Sequence, residues 1–190
     1  MRKIILHLFV TAFILTIIYS CKPSAVLYKP TDRNKAYTGF LYDSTITILK
    51  SFLARYGSIN LKDTIVIKYD YNNEICWDRL DAKDDDYIMG FINRHQQQMQ
   101  KIILDRPNLS VFTFREPGNN LNKIKMWDKS ILIDSSKQLY NLLFYDRSEC
   151  GNSILIMPDR KFIFIRSDAH SQILDITTSK IQELLNKQKL

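Results

Sequence analysis

The chain begins with an apolar run from Ile4 to Ile18, interrupted only by His7, Thr11 and Thr16. A stretch to about Asn34 follows in which Pro23 and Pro30 sit among polar residues without apolar periodicity, as in a short tether. Periodic patterning starts at Ser44. Ile46, Leu49, Leu53 and Tyr56 share one helical face, and Gly57 suits the position after a helix end. From Asp63 to Tyr71 the period changes to two. Ile65 and Ile67 point one way, and Thr64, Val66 and Lys68 the other, in a β-branched segment that predicts a strand. Asn72 to Asp86 is irregular. A helix is then expected from about Asp86 to Leu104, with Ile88, Phe91, Ile92, His95, Met99, Ile102 and Ile103 as its buried stripe and Arg106-Pro107 as its stop.

The second half repeats the alternation. Leu109 to Arg115 reads as a strand, and Glu116-Pro117-Gly118 as a turn. Asn119 to Trp127 predicts a short helix presenting Leu121, Ile124 and Trp127, followed by a short strand from Ile131 to Asp134. Ser135 and Gln138 have capping-box spacing before a helix carrying Leu139, Leu142 and Leu143. Ser153–Met157 and Lys161–Arg166 flank Pro158-Asp159-Arg160 as a hairpin, and a final helix opens at Ser179 and Gln182. Strands alternating with helices predict an α/β domain, a central mixed sheet of about five strands covered by helices on both faces. No internal repeat or low-complexity tract interrupts it.

Arg2 and Lys3 ahead of the apolar run give the start the form of a secretory signal. The run falls short of the roughly 20 apolar residues that a membrane span needs. Ile18-Tyr19-Ser20-Cys21 closes it, and this tetrad resembles the lipobox of bacterial lipoproteins. The resemblance covers the first 21 residues. It implies cleavage before Cys21, diacylglycerol on the Cys21 sulfur and an acyl chain, such as palmitate, on its new amine. Lys22 rather than Asp follows, which in that family points to the outer membrane. Each buried methylene of such a tail adds about 0.8 kcal/mol, so more than one chain anchors stably. The alternative is an uncleaved N-terminal membrane helix with an incidental cysteine. On the lipoprotein reading the chain divides into a signal (1–20), a lipidated tether (21–34) and one domain (35–190), with the domain facing the periplasm.

The formal charge is +7, from 27 basic and 20 acidic residues; without Arg2 and Lys3 it is +5. The bases are scattered among acids, which argues against a nucleic-acid partner. The lipobox resemblance implies the membrane as a partner through the anchor, and an envelope protein is the other partner expected.

Asp63 to Leu190 also resembles the thioredoxin-like fold in its order of elements. In that family the first core strand leads into C-x-x-C at the start of the next helix. Here Cys76-Trp77-Asp78-Arg79 stands there, with Arg79 in place of the second cysteine. The family's cis-proline before the hairpin corresponds to the region of Cys150-Gly151-Asn152-Ser153, which contains no proline. The resemblance therefore implies that Cys76 and Cys150 lie close together. Three states remain open for the pair: a structural disulfide, two free buried thiols, or a redox couple with Cys76 as the attacking, catalytic sulfur and Cys150 as its partner. The function read from this is a lipid-anchored envelope protein with a degenerate thioredoxin-like domain in a binding or structural role. The alternative is a periplasmic thiol-disulfide oxidoreductase.

No cofactor or metal site is expected. The acids from Asp81 to Asp86 lack the spaced ligands and central Gly of a calcium loop and read as a solvated helix start. His95 falls on an apolar stripe and reads as a packed core residue. His170 follows a strand end without a metal-spaced companion.

Overall fold

The computed structural model describes residues 33–56, 61–76 and 78–186. The apolar N-terminal run, Cys21 and Gly57 lie outside them. So do Trp77 and the side chains of Asp78 and Arg79.

A six-stranded mixed sheet forms the centre, in the order β1-β6-β5-β2-β3-β4. The strands are β1 (Lys35–Phe40), β2 (Thr64–Asp70), β3 (Leu109–Arg115), β4 (Leu132–Ile133), β5 (Asn152–Ile156) and β6 (Lys161–Arg166). β2 runs parallel to β3, and β3 to β4. β5 runs antiparallel to both β2 and β6, and β6 antiparallel to β1. The helices are α1 (Asp43–Leu53), α2 (Asp85–Asp105), α3 (Lys123–Trp127), α4 (Gln172–Asp175) and α5 (Thr178–Asn186), with a π-helical turn at Tyr140–Phe144. The sheet thus has one strand more than the patterning predicts. The addition is β1, which lies at an edge and has no fully buried residue.

Each face of the sheet has its own core. On one, Ile65, Ile67 and Tyr69 of β2 pack with Phe112 and Phe114 of β3 beneath Leu49, Phe52 and Leu53 of α1 and Phe144 of the π turn. On the other, Val66 packs with Leu109, Leu155, Ile163 and Ile165 beneath Ile173 and Leu174 of α4, with Met99 and Ile102 of α2 alongside. Because β2 is central, both of its faces are covered and every residue from Ile65 to Asp70 is buried.

Helix starts follow local donors and acceptors. Asp84 accepts the Tyr87 N–H at 2.7 Å and caps α2, consistent with the acidic start. Neither expected capping box forms. Asp134, not Ser135, accepts the Gln138 and Tyr140 N–H groups, both at 2.9 Å. Lys137 in that turn has a positive φ, and a π turn follows it rather than an α-helix. At the C-terminal end Thr177, not Ser179, accepts the Lys180 N–H. Ile103, expected in the buried stripe of α2, is exposed.

Candidate functional site

The alternation that points Ile65 and Ile67 into one core turns Val66, Lys68 and Asp70 toward α2. Val66 joins the apolar cluster there. Lys68 and Asp70 extend that row toward the carboxyl end of β2, where the apolar packing stops. Across the sheet Lys68 is level with Thr113 on β3 and Ser153 on β5, so a polar row replaces the apolar row of Val66, Val111 and Leu155 one step earlier. Ser153 Oγ donates to Asp168 Oδ2 at 2.7 Å, and Asp168 also accepts the Gln172 and Ile173 N–H groups at the start of α4. Carboxyl ends of parallel strands, beyond the apolar core, are where α/β sheets hold ligands.

Two lysines meet at this end. Lys125 comes from α3, whose first turn is held by Asn122 accepting the Lys125 N–H at 3.0 Å. Its Nζ donates to Asp70 Oδ2 at 2.6 Å, and both side chains are buried. Burial opposes the charge on Lys125, but Asp70 and Glu74 outweigh it and hold the ammonium above its ordinary range. Asp70, burial notwithstanding, is kept below the ordinary carboxylate range by Lys125 and Lys68. Lys68 differs. It is 6% exposed, and among the described residues no carboxylate lies within ion-pair distance of it. Burial, and after it the neighbouring charge of Lys125, push its pKa down. Burial and then Asp70 push the Glu74 carboxyl up to about 8, and its Oε1 has no hydrogen-bond partner among the described residues.

Cys76 and Cys150 are joined by a disulfide with a Cα–Cα separation of 5.1 Å, linking positions 74 apart in sequence. Both cysteines are buried, Cys76 at 6% and Cys150 at 1% exposure. The bridge is built into the charged cluster. Asn122, the cap of α3, donates to the Cys76 carbonyl at 3.2 Å. Gly151, next to Cys150, lies so close to β2 that an added Cβ would come within 2.4 Å of Asp70 Oδ1 and 2.7 Å of the Tyr69 carbonyl. Only glycine permits that approach.

In front of the lysines lies a cleft of about 230 Å³ between α2, α3 and the loop before α4. Lys68, His95, Thr113, Lys125, Asp128 and His170 are among its polar lining, and Phe91, Ile124 and Ile131 form its apolar wall. His95 is therefore part of a cleft wall rather than a core residue. Burial, followed by the charges of Lys68 and Lys125, lowers its proton affinity, which favours the neutral imidazole. His170 reaches the same cleft, 75 positions further along the chain. The sequence singles out both histidines but neither lysine; its one signal is Lys68 itself, a charge in the middle of a β-branched strand.

Among the described residues no group of three or more His, Cys, Asp or Glu is arranged to hold a metal ion, and no helix is long and apolar enough to cross a membrane. No protein-family model matches the chain, and neither curated proteins nor solved structures give a match.

Proposed function

We propose that the chain is a lipid-anchored cell-envelope protein whose single domain is a thioredoxin-like scaffold used for binding, with a structural disulfide where a redox dithiol would stand. The observation that carries the reading is the buried Cys76–Cys150 bridge. Disulfides persist in oxidising compartments, and the secretory pattern before Cys21 would deliver the domain to one. Exchange requires a thiolate to reach a sulfur, and burial of both cysteines opposes that.

Strand order supports the scaffold. Within the sheet, β6-β5-β2-β3 places a parallel pair beside an antiparallel hairpin, as a thioredoxin-like core requires. α2 and α4 lie on one face, with the π turn on the other. Cys76 follows the first core strand and Cys150 precedes the hairpin, the two places the family uses for its chemistry. With only one sulfur at each, the pair closes a long loop in place of a short dithiol ring. Cys21 would carry the lipid, and Lys22 after it favours the outer membrane.

Thiol counting under native conditions tests the disulfide. A bridge with a potential below about −300 mV is structural, and the account expects such a value. Ready exchange with glutathione would instead favour an oxidoreductase in which Cys76 attacks and Cys150 resolves. Labelling cells with a palmitate analogue tests the anchor: the native chain takes up label, and Cys21→Ala does not.

A further inference from the structure

We propose that the cleft beneath α2 is a binding site for a small organic carboxylate with an apolar body, its carboxylate resting on Lys68. This concerns the domain itself and stands whether or not the chain is lipidated.

Lys68 is more than nine-tenths buried, lines the cleft, and has the Lys125 ammonium as its close neighbour. Lys125 is already paired with Asp70 at 2.6 Å. Asp70, Asp168 and Glu74 also act on Lys68 and favour its charge, but among the described residues none pairs with it directly, and a buried ammonium so placed is costly. An anion entering from the cleft offsets both the burial and the repulsion. The surroundings suit one. Thr113 stands level with Lys68 on the adjacent strand, and His95 and His170 border the same space. Asp128, the acid of the lining, has its Oδ1 taken up by Gln96 of α2 at 2.8 Å and by the Ser130 hydroxyl at 2.6 Å.

The apolar wall sets the rest of the ligand. Phe91, Ile124 and Ile131 face the cleft. Beyond Ile131 a second depression continues along α2 past Met99, Ile103 and Val111. A bare inorganic anion would leave this surface wet, whereas an aliphatic tail would cover it at roughly 25 cal/mol per Å².

Calorimetric titration of the full chain in detergent tests this with acetate, butyrate, hexanoate, inorganic phosphate and butylamine. Affinity is expected to rise from acetate to hexanoate, with no binding of butylamine. Lys68→Met keeps the aliphatic stem and removes the charge. It should weaken hexanoate binding about tenfold or more, the scale of a charge-assisted hydrogen bond. Ile131→Trp fills the cleft without touching a charge and should abolish hexanoate binding while the circular dichroism spectrum stays native. This second variant decides the matter if Lys68→Met does not fold. Equal binding by Lys68→Met, phosphate or acetate binding as tightly as hexanoate, undiminished hexanoate binding by Ile131→Trp, or no carboxylate binding at all would overturn the proposal.

Discussion

Asp70→Asn removes the charge that pairs with Lys125 and leaves that buried ammonium without its ion-pair partner. Breaking a buried ion pair by removing one partner costs on the order of 3 kcal/mol, and urea unfolding of the variant should show a loss of that size. Lys68→Met removes the repulsion from Lys125 together with the attraction to Asp70, and is expected to change stability by less than Asp70→Asn in the same assay. Glu74 predicts a pH dependence. Its carboxyl pKa rises from an ordinary 4.5 to about 8 in the fold, so the folded protein keeps a proton that the unfolded chain has released. Stability therefore falls as pH rises through that window. His95, with its lowered proton affinity, acts in the opposite sense below its ordinary pKa of 6.5. Lys68, its pKa pushed down from an ordinary 10.5, also acts in the opposite sense, so the Glu74 contribution is read as the difference in denaturation midpoints between the native chain and Glu74→Gln, which should grow as pH falls from 8.

The elements show which interactions are local and which are not. α2 is legible in the sequence by its helical period, β2 and β3 as β-branched and aromatic runs, and the β5–β6 hairpin as two apolar runs around Pro158-Asp159-Arg160. β1 escapes because an edge strand buries little of either face. The turn before the π segment is misread for a different reason. Ser135 has the spacing of a cap, but Asp134 is fully buried and takes the Gln138 N–H, the Tyr140 N–H and the Tyr69 hydroxyl at once. The last partner lies 65 positions away and leaves no local trace. Asp134→Ala should accordingly cost more than the roughly 1 kcal/mol of an ordinary cap, because several buried donors lose their acceptor together. Thr177→Ala, at an exposed helix start, should stay near that ordinary value. Chemical denaturation of the two variants gives the comparison. The site is harder to read than the elements. The sequence shows Lys68 as the face of β2 opposite Ile65 and Ile67, without showing that this face is covered. Nor does it show that Lys125 returns, 55 positions on, to neutralise Asp70.

At the scale of the whole molecule, one covalent link joins the loop after β2 to the segment before β5 and holds the charged cluster between them. Closing a loop of this length contributes on the order of 4 kcal/mol in the chain-entropy model. Cys76→Ala with Cys150→Ala should lower the denaturation midpoint by a corresponding amount. Gly151→Ala should do so with the bridge intact, since the added methyl meets Asp70 and the β2 backbone. Both also bear on the cleft, because Asn122 couples the Cys76 carbonyl to the start of α3 and thus to Lys125. The most direct test of the account is intact-mass spectrometry of the protein taken from cells into an alkylating agent without reductant. The account predicts a chain that begins at an acylated Cys21 and carries no alkyl group on Cys76 or Cys150 until a reductant is added. A chain retaining Met1 with no lipid, or one alkylated at both cysteines before reduction, would contradict it.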